Sequence, residues 1–178
     1  MKILAISGSL RSGSSNTAAL RAATHLSPPG MIISLFQGID DLPFFNPDLD
    51  GDDVPNSVAA FRAAIGAADG LLISSPEYAR GVAGVMKNAL DWLVASLEFP
   101  DKPVALVNTS PRAVHALAAL TLTLETMSAR IVKDASVTLP LLGGAHDERS
   151  ILADEALAMS LRQALARFAT AIRSGQAD

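Results

Sequence analysis

The sequence predicts an α/β fold: a doubly wound, five-stranded parallel sheet in the order 2-1-3-4-5, with helices on both faces. Three observations predict it. Strand-like and helix-like segments alternate along the whole chain, which builds parallel sheets through crossover connections. The third strand-like segment, Gly70–Ser74, is continuously apolar up to its serine, as a strand covered on both faces must be. The first strand-like segment runs through a glycine- and hydroxyl-rich loop into a helical pattern.

Taken in order, Lys2–Ser7 reads as the first strand and Ser15–Leu26 as a helix. Pro28-Pro29-Gly30 punctuates, and Met31–Leu35 is the second strand. Gly38–Asp53 is a loop rich in Pro, Asp and Asn, with Phe44 and Phe45 in its middle. Pro55–Ala67 is a helix before the third strand. Gly81–Leu97 is a helix with Val82, Met86, Ala89, Leu93 and Leu97 on one face. Pro103–Val107 is the fourth strand, Ala113–Ser128 a helix and Ile131–Leu139 the fifth strand. Gly143-Gly144 and Asp147-Glu148 read as a solvated loop. Ile151–Arg173 is a closing helix with Leu157, Leu161, Leu165, Phe168 and Ile172 at helical spacing. The 178 residues are expected to form one domain, 1–178, with a sizeable core.

Composition narrows the function classes. Hydrophobic residues are 49% of the chain and charged residues 18%, which excludes a disordered chain. The net charge is −4 and no basic cluster is visible, so nucleic acid is not the expected partner. The absence of cysteine removes disulfides, thiolate nucleophiles and iron–sulfur clusters. The apolar run Ile3–Ile6 is too short for a signal peptide. The longest apolar stretch, near Ala116–Leu124, is well short of the roughly 20 residues that span a bilayer. The expectation is a cytoplasmic protein without a membrane partner. His25, His115 and His146 lie far apart and lack metal-ligand spacing.

The loop Gly8-Ser9-Leu10-Arg11-Ser12-Gly13-Ser14-Ser15-Asn16 carries the chemistry. Between a strand and a helix start, its backbone N–H groups converge, and the helix adds partial positive charge there. Arg11 supplies a fixed cation able to grip phosphate with two donors. Read alone, the loop is also compatible with a tight turn capped by Ser14, Ser15 or Asn16. Gly8 and Gly13 have Walker spacing, but Ser14 stands where the lysine belongs. The Gly-x-Gly-x-x-Gly fingerprint is absent after this strand. The loop therefore points to a monophosphate ligand.

A doubly wound sheet binds its ligand where the winding reverses, beside strands one and three. The loop after strand three is Ser75-Pro76-Glu77-Tyr78-Ala79-Arg80-Gly81. Pro76 fixes its φ, and Gly81 is expected to permit an unusual turn. Tyr78, the single tyrosine, can flank a bound planar ring or pack against a neighbouring helix or subunit. Trp92 is expected to pack in the core or an interface, and Lys87 to pair with Asp91 one turn on.

With both loops in view, the chain resembles the NADPH-dependent FMN reductases of flavodoxin-like fold. Members carry Gly-Ser-Leu-Arg-x-x-Ser-x-Asn after strand one, matched by Gly8–Asn16. They carry Pro-Glu-Tyr before Lys-Asn-Ala-x-Asp-Trp, matched by Pro76–Tyr78, then Gly84 and Lys87–Trp92. The loop near Leu42–Leu49 is similar too. Two departures stand out: Ala79-Arg80 where members have asparagine after the tyrosine, and Ser110-Pro111-Arg112 where many have glycines.

The resemblance implies FMN as cofactor, reduced by NADPH or NADH as co-substrate. A planar small-molecule acceptor such as a quinone, azo dye or free flavin then takes two electrons. It implies Ser9, Arg11, Ser14, Ser15 and Asn16 around the phosphate. Pro76, Glu77, Tyr78 and Ala79 frame the isoalloxazine edge, mostly through backbone groups, and Ser110 approaches the pyrimidine side. No side chain acts as nucleophile in this scheme. The competing reading is a flavodoxin-like FMN-binding electron-transfer protein without NAD(P)H turnover. Surplus apolar residues on the helices at 81–97 and 113–128 predict a homodimer or homotetramer.

Overall fold

A computed structural model describes residues 1–51, 54–141 and 146–175. Gly143-Gly144, and the Asp53 that ends the long loop, lie outside the described residues. The strands are β1 (Lys2–Ser7), β2 (Ile32–Leu35), β3 (Gly70–Ser74), β4 (Glu77–Tyr78), β5 (Gly81–Val82), β6 (Pro103–Asn108), β7 (Arg130–Ile131) and β8 (Val137–Thr138). The helices are α1 (Ser15–His25), α2 (Asn56–Gly66), α3 (Gly84–Asp91), α4 (Val114–Thr126), α5 (Glu148–Ala153) and α6 (Glu155–Gly175).

The main sheet runs β2-β1-β3-β6-β7, with β8 also pairing β6, and all these pairings are parallel. Counting β7 and β8 as one interrupted edge strand, this is the predicted flavodoxin-like order 2-1-3-4-5. Every residue of β3 and β6 is buried. Alternate side chains feed two cores, as the two-residue period of a strand requires. Ile3, Ala5, Leu72, Ala105 and Val107 pack with α1, α5 and α6. Leu4, Ile6, Leu71, Ile73, Val104 and Leu106 pack with α2, α3 and α4.

Five expectations from the sequence are corrected. The helix expected over 81–97 is shorter: its first two residues form β5, and α3 ends at Asp91. At that end the Trp92 carbonyl accepts from Arg62 Nε at 2.9 Å and Nη2 at 2.6 Å. The guanidinium thereby satisfies a carbonyl left open at the helix end. It is itself held by Asp50 at 2.7 Å. The fifth strand is interrupted by a 3-10 turn at Lys133–Ala135. The Ser136 hydroxyl fills the gap in the ladder, accepting from the Leu106 N–H at 3.1 Å.

The closing helix is two helices. Asp154 caps the second by accepting from the N–H groups of Ala156 (3.0 Å) and Leu157 (3.1 Å). Asp147 and Glu148 are not a solvated loop: Asp147 caps α5 and Glu148 is its first residue. The bond from the Ser150 N–H (2.8 Å) holds the Asp147 carboxyl below the usual carboxylate range. Finally, Gly81 is an ordinary strand residue. The left-handed backbone lies just before it, at Ala79 (φ 49°) and Arg80 (φ 61°).

Candidate functional site

Three loops converge at the carboxyl ends of β1, β3 and β6 and enclose a cavity of 490 Å³. A backbone bond from the Gly8 N–H to the Ser74 carbonyl (2.8 Å) ties the first loop to the second. A Cβ at Gly8 would lie 2.6 Å from Ser75 Oγ and 3.1 Å from Met86 Cβ. Only glycine lets the loops approach this closely.

Asn16 joins all three. Its Oδ1 accepts from the hydroxyls of Ser74 (2.8 Å) and Thr109 (3.1 Å), and the residue is buried. Its sequence neighbour Thr17 shares a hydroxyl bond of 2.7 Å with Ser7. Ser14 caps α1 by accepting from the Thr17 N–H at 3.3 Å. The N-terminus of α1, with its partial positive charge, thus opens into the cavity wall formed by Ser14, Ser15 and Asn16. Ser9 and Arg11 complete that end. Arg11 is exposed and makes no ion pair among the described residues.

The opposite wall is a hairpin the sequence did not announce: β4 and β5 pair antiparallel, Glu77 with Val82 and Tyr78 with Gly81. Its two turn residues both have positive φ, the requirement of a type I′ hairpin turn, for which Asn-Gly is favoured. Tyr78 is 59% exposed on the cavity rim. Glu77 lines the cavity, and one of its carboxylate oxygens reaches out to α4. Glu77 Oε2 accepts from the Ala116 N–H of α4 at 2.9 Å.

The third wall follows β6. Asn108 folds over its own loop, donating from Nδ2 to the Ser110 carbonyl at 2.8 Å and accepting from the Ser110 N–H at 3.3 Å. Ser110 Oγ accepts from the Arg112 N–H at 3.2 Å.

Of the predicted site residues, Ser9, Arg11, Ser14, Ser15, Asn16, Pro76, Glu77, Tyr78 and Ser110 all line this one cavity. Ala79 does not; it forms the hairpin turn beside it. Sequence reasoning missed Gly13, Ser75, Thr109 and the second guanidinium, Arg112. The signal for Arg112 was its place in the loop after β6, two residues from the assigned Ser110.

Trp92 and Asn88 position the cavity's neighbour, the long loop. Trp92 Nε1 donates to the Pro43 carbonyl at 2.7 Å, and Asn88 Oδ1 accepts from the Phe45 N–H at 2.8 Å. Trp92 is wholly buried, with Phe45 edge-on at 5.0 Å. Lys87 and Asp91 form the expected pair.

The chain matches a family model described as NADPH-dependent FMN reductase over residues 1–141. It is similar to an NAD(P)H-dependent FMN reductase of Pseudomonas aeruginosa, at 48% identity over 112 residues. That match covers 62% of this chain and 60% of the relative. It is also similar to a quinone reductase of Escherichia coli K12, at 34% identity over 119 residues, 64% of this chain and 62% of that one. The chain thus spans less than two thirds of these curated relatives. Among solved structures, the flavoenzyme NAD(P)H:(acceptor) oxidoreductase of Paracoccus denitrificans superposes with a TM-score of 0.82. It is 26% identical, and the match covers 97% of both chains.

Proposed function

The chain belongs to the NADPH-dependent FMN reductase family, and we propose that it is an NAD(P)H-dependent FMN oxidoreductase of planar acceptors such as quinones. The observation that carries this reading is the cavity itself. One end has the α1 N-terminus, three hydroxyls and a guanidinium without an ion-pair partner among the described residues, a donor set matched to a phosphate dianion. The other end has a hairpin edge and an exposed tyrosine, surfaces suited to a flat ring. The residues therefore fit FMN.

When bound, FMN supplies the redox chemistry, a two-electron transfer from nicotinamide to acceptor. The chain supplies position and electrostatics. Arg11 and the α1 N-terminus neutralise the phosphate charge, and Ser9, Ser14 and Ser15 offer hydroxyl donors. Asn16 and Gly8 hold the three walls at fixed spacing. Pro76, Glu77 and Tyr78 form the ring edge through their backbone, with Ser110 and Arg112 opposite. The rim beside Tyr78 admits a planar substrate. The test is steady oxidation of NADPH or NADH by purified protein with FMN and a quinone. Flavin bound stoichiometrically without nicotinamide oxidation would instead identify an electron-transfer protein.

A homodimer or homotetramer belongs to the same proposal. Part of the apolar surplus is used within the subunit: Leu90, Trp92, Leu120 and Leu124 are buried. Phe44 (91% exposed), Leu97 (93%) and Leu122 (66%) remain uncovered and support assembly. Light scattering across the micromolar range tests it, and a monomer mass with turnover intact would refute it. No helix among the described residues is long and apolar enough to cross a membrane. The cytoplasm is the compartment consistent with a reduced nicotinamide substrate and a chain without cysteine.

A further inference from the structure

Arg112 is a cation of the cavity wall that neither an ion pair in the protein nor the phosphate end uses. The charged residues among the cavity lining are Arg11, Glu77 and Arg112. Arg11 belongs to the loop that runs into α1. Arg112 stands on the other side. It directly precedes Ala113, from which α4 starts, and α4 packs on the face of the sheet opposite α1. One turn further on, the Ala116 N–H meets Glu77 of the hairpin at 2.9 Å. Arg112 is thereby anchored beside the hairpin that carries Tyr78.

The backbone under Arg112 is fixed while its side chain is free. Its N–H donates to Ser110 Oγ at 3.2 Å, and the next N–H, of Ala113, donates to the Ser110 carbonyl at 3.1 Å. The same carbonyl accepts from Asn108 Nδ2 at 2.8 Å. The guanidinium is exposed and forms no ion pair among the described residues, with Glu77 or any other carboxylate. An oxidised isoalloxazine ring carries no charge, so a flavin seated with its phosphate at α1 leaves this cation without an anion. Tyr78, half-exposed on the same cavity's rim, offers an aromatic surface to a second ring.

We propose that Arg112 determines acceptor specificity and selects planar acceptors that carry an acidic substituent, a carboxylate or sulfonate, on their ring. The inference rests on the reading of the chain as an oxidoreductase of planar acceptors. The acceptor ring lies at the rim beside Tyr78, and its oxyanion pairs with the guanidinium, whose planar donors match two oxygens at once. A neutral quinone of the same shape makes the ring contact without the pair. The nicotinamide coenzyme is the weaker fit, because a ribose separates its redox ring from its phosphates.

The test measures kcat/KM of the FMN-loaded full chain for a naphthoquinone sulfonate and for the same naphthoquinone without the sulfonate, with NADPH and with NADH as donor. The sulfonate alters the quinone's own reactivity alike for every variant, so the ratio of the two values, compared between variants, isolates the protein's preference. Arg112→Gln should lower that ratio about fivefold, the size of an exposed charge pair. Arg112→Lys keeps the charge and should retain most of the preference. Added salt should lower the ratio of the unaltered chain and leave that of Arg112→Gln flat. Arg80→Gln is the control, since Arg80 sits on the hairpin turn outside the cavity lining. An unchanged ratio in Arg112→Gln overturns the inference alone. So does an equal fall in Arg80→Gln, which would assign the preference to the general surface field. A change confined to the KM for NADPH would assign Arg112 to the coenzyme and overturn it too. Failure to oxidise NADPH or NADH with either quinone overturns the oxidoreductase reading with it.

Discussion

Glu77 and Ala116 are joined by a hydrogen bond of 2.9 Å from the Ala116 backbone N–H to Oε2. Ala113, the residue at the start of α4, offers no side-chain cap. Glu77, 39 residues earlier, performs that function from the hairpin. One carboxylate thereby fixes the hairpin wall of the cavity to the helix behind the third wall. Glu77→Ala should cost about 1 kcal/mol of stability, as loss of a helix cap does. It should also loosen FMN binding. Glu77→Gln keeps an acceptor oxygen and should restore most of both. Denaturant unfolding and flavin titration measure them; an alanine variant with both unchanged would show that the bond positions nothing.

Arg11 is the cation of the phosphate end. Removing a charged hydrogen bond costs about 1.5–3 kcal/mol, or roughly ten- to a hundredfold in affinity. Arg11→Ala should weaken FMN by that factor and leave riboflavin, which lacks the phosphate, nearly unaffected. Equal losses for both ligands would assign Arg11 to folding instead.

Ala79 and Arg80 hold positive φ without being glycine or asparagine. Left-handed backbone costs an ordinary residue about 1–2 kcal/mol. Arg80→Gly should therefore raise stability by about 1 kcal/mol, and Ala79→Asn by somewhat less. Neither change touches the cavity lining. A drop in the unfolding midpoint for Arg80→Gly would show that the arginine side chain contributes more than its backbone strain costs.

Asp147 sets the acid response of α5. Its carboxyl is held below the usual range by the bonds to Ser150. A depressed folded value means the stabilisation is complete above the unfolded value and is lost as pH falls through the folded one. Amide exchange at Ser150 should speed up, relative to the intrinsic rate, as pH falls below the ordinary aspartate value of about 4. Asp147→Asn should abolish that acid-dependent change. Identical pH profiles for both chains would remove Asp147 as the cause.

Much of this protein was legible in its residues. Alternating strand and helix segments, with one continuously apolar strand, determined a parallel sheet covered on both faces, and right-handed crossovers left few strand orders. Gly8–Asn16 located the phosphate end, because strand, hydroxyl-rich loop and helix start are contiguous in sequence. The topological rule pointed to the loop after strand three, and the family resemblance picked out Pro76–Tyr78 within it. What failed was set by distant partners. Helix α3 ends at Asp91, where Arg62, 30 residues earlier, takes the open Trp92 carbonyl. The fifth strand breaks where a serine hydroxyl replaces a ladder bond to Leu106. The hairpin was hidden because Ala-Arg is not the turn chemistry that marks one. The bond from the Ala116 N–H to the Glu77 carboxylate was not legible, because the two residues lie 39 positions apart. Local pattern thus determined the elements and the ligand-facing loops. Tertiary structure decided where each element ends and which polar groups are already committed, because those depend on hydrogen bonds between residues 30 or more positions apart.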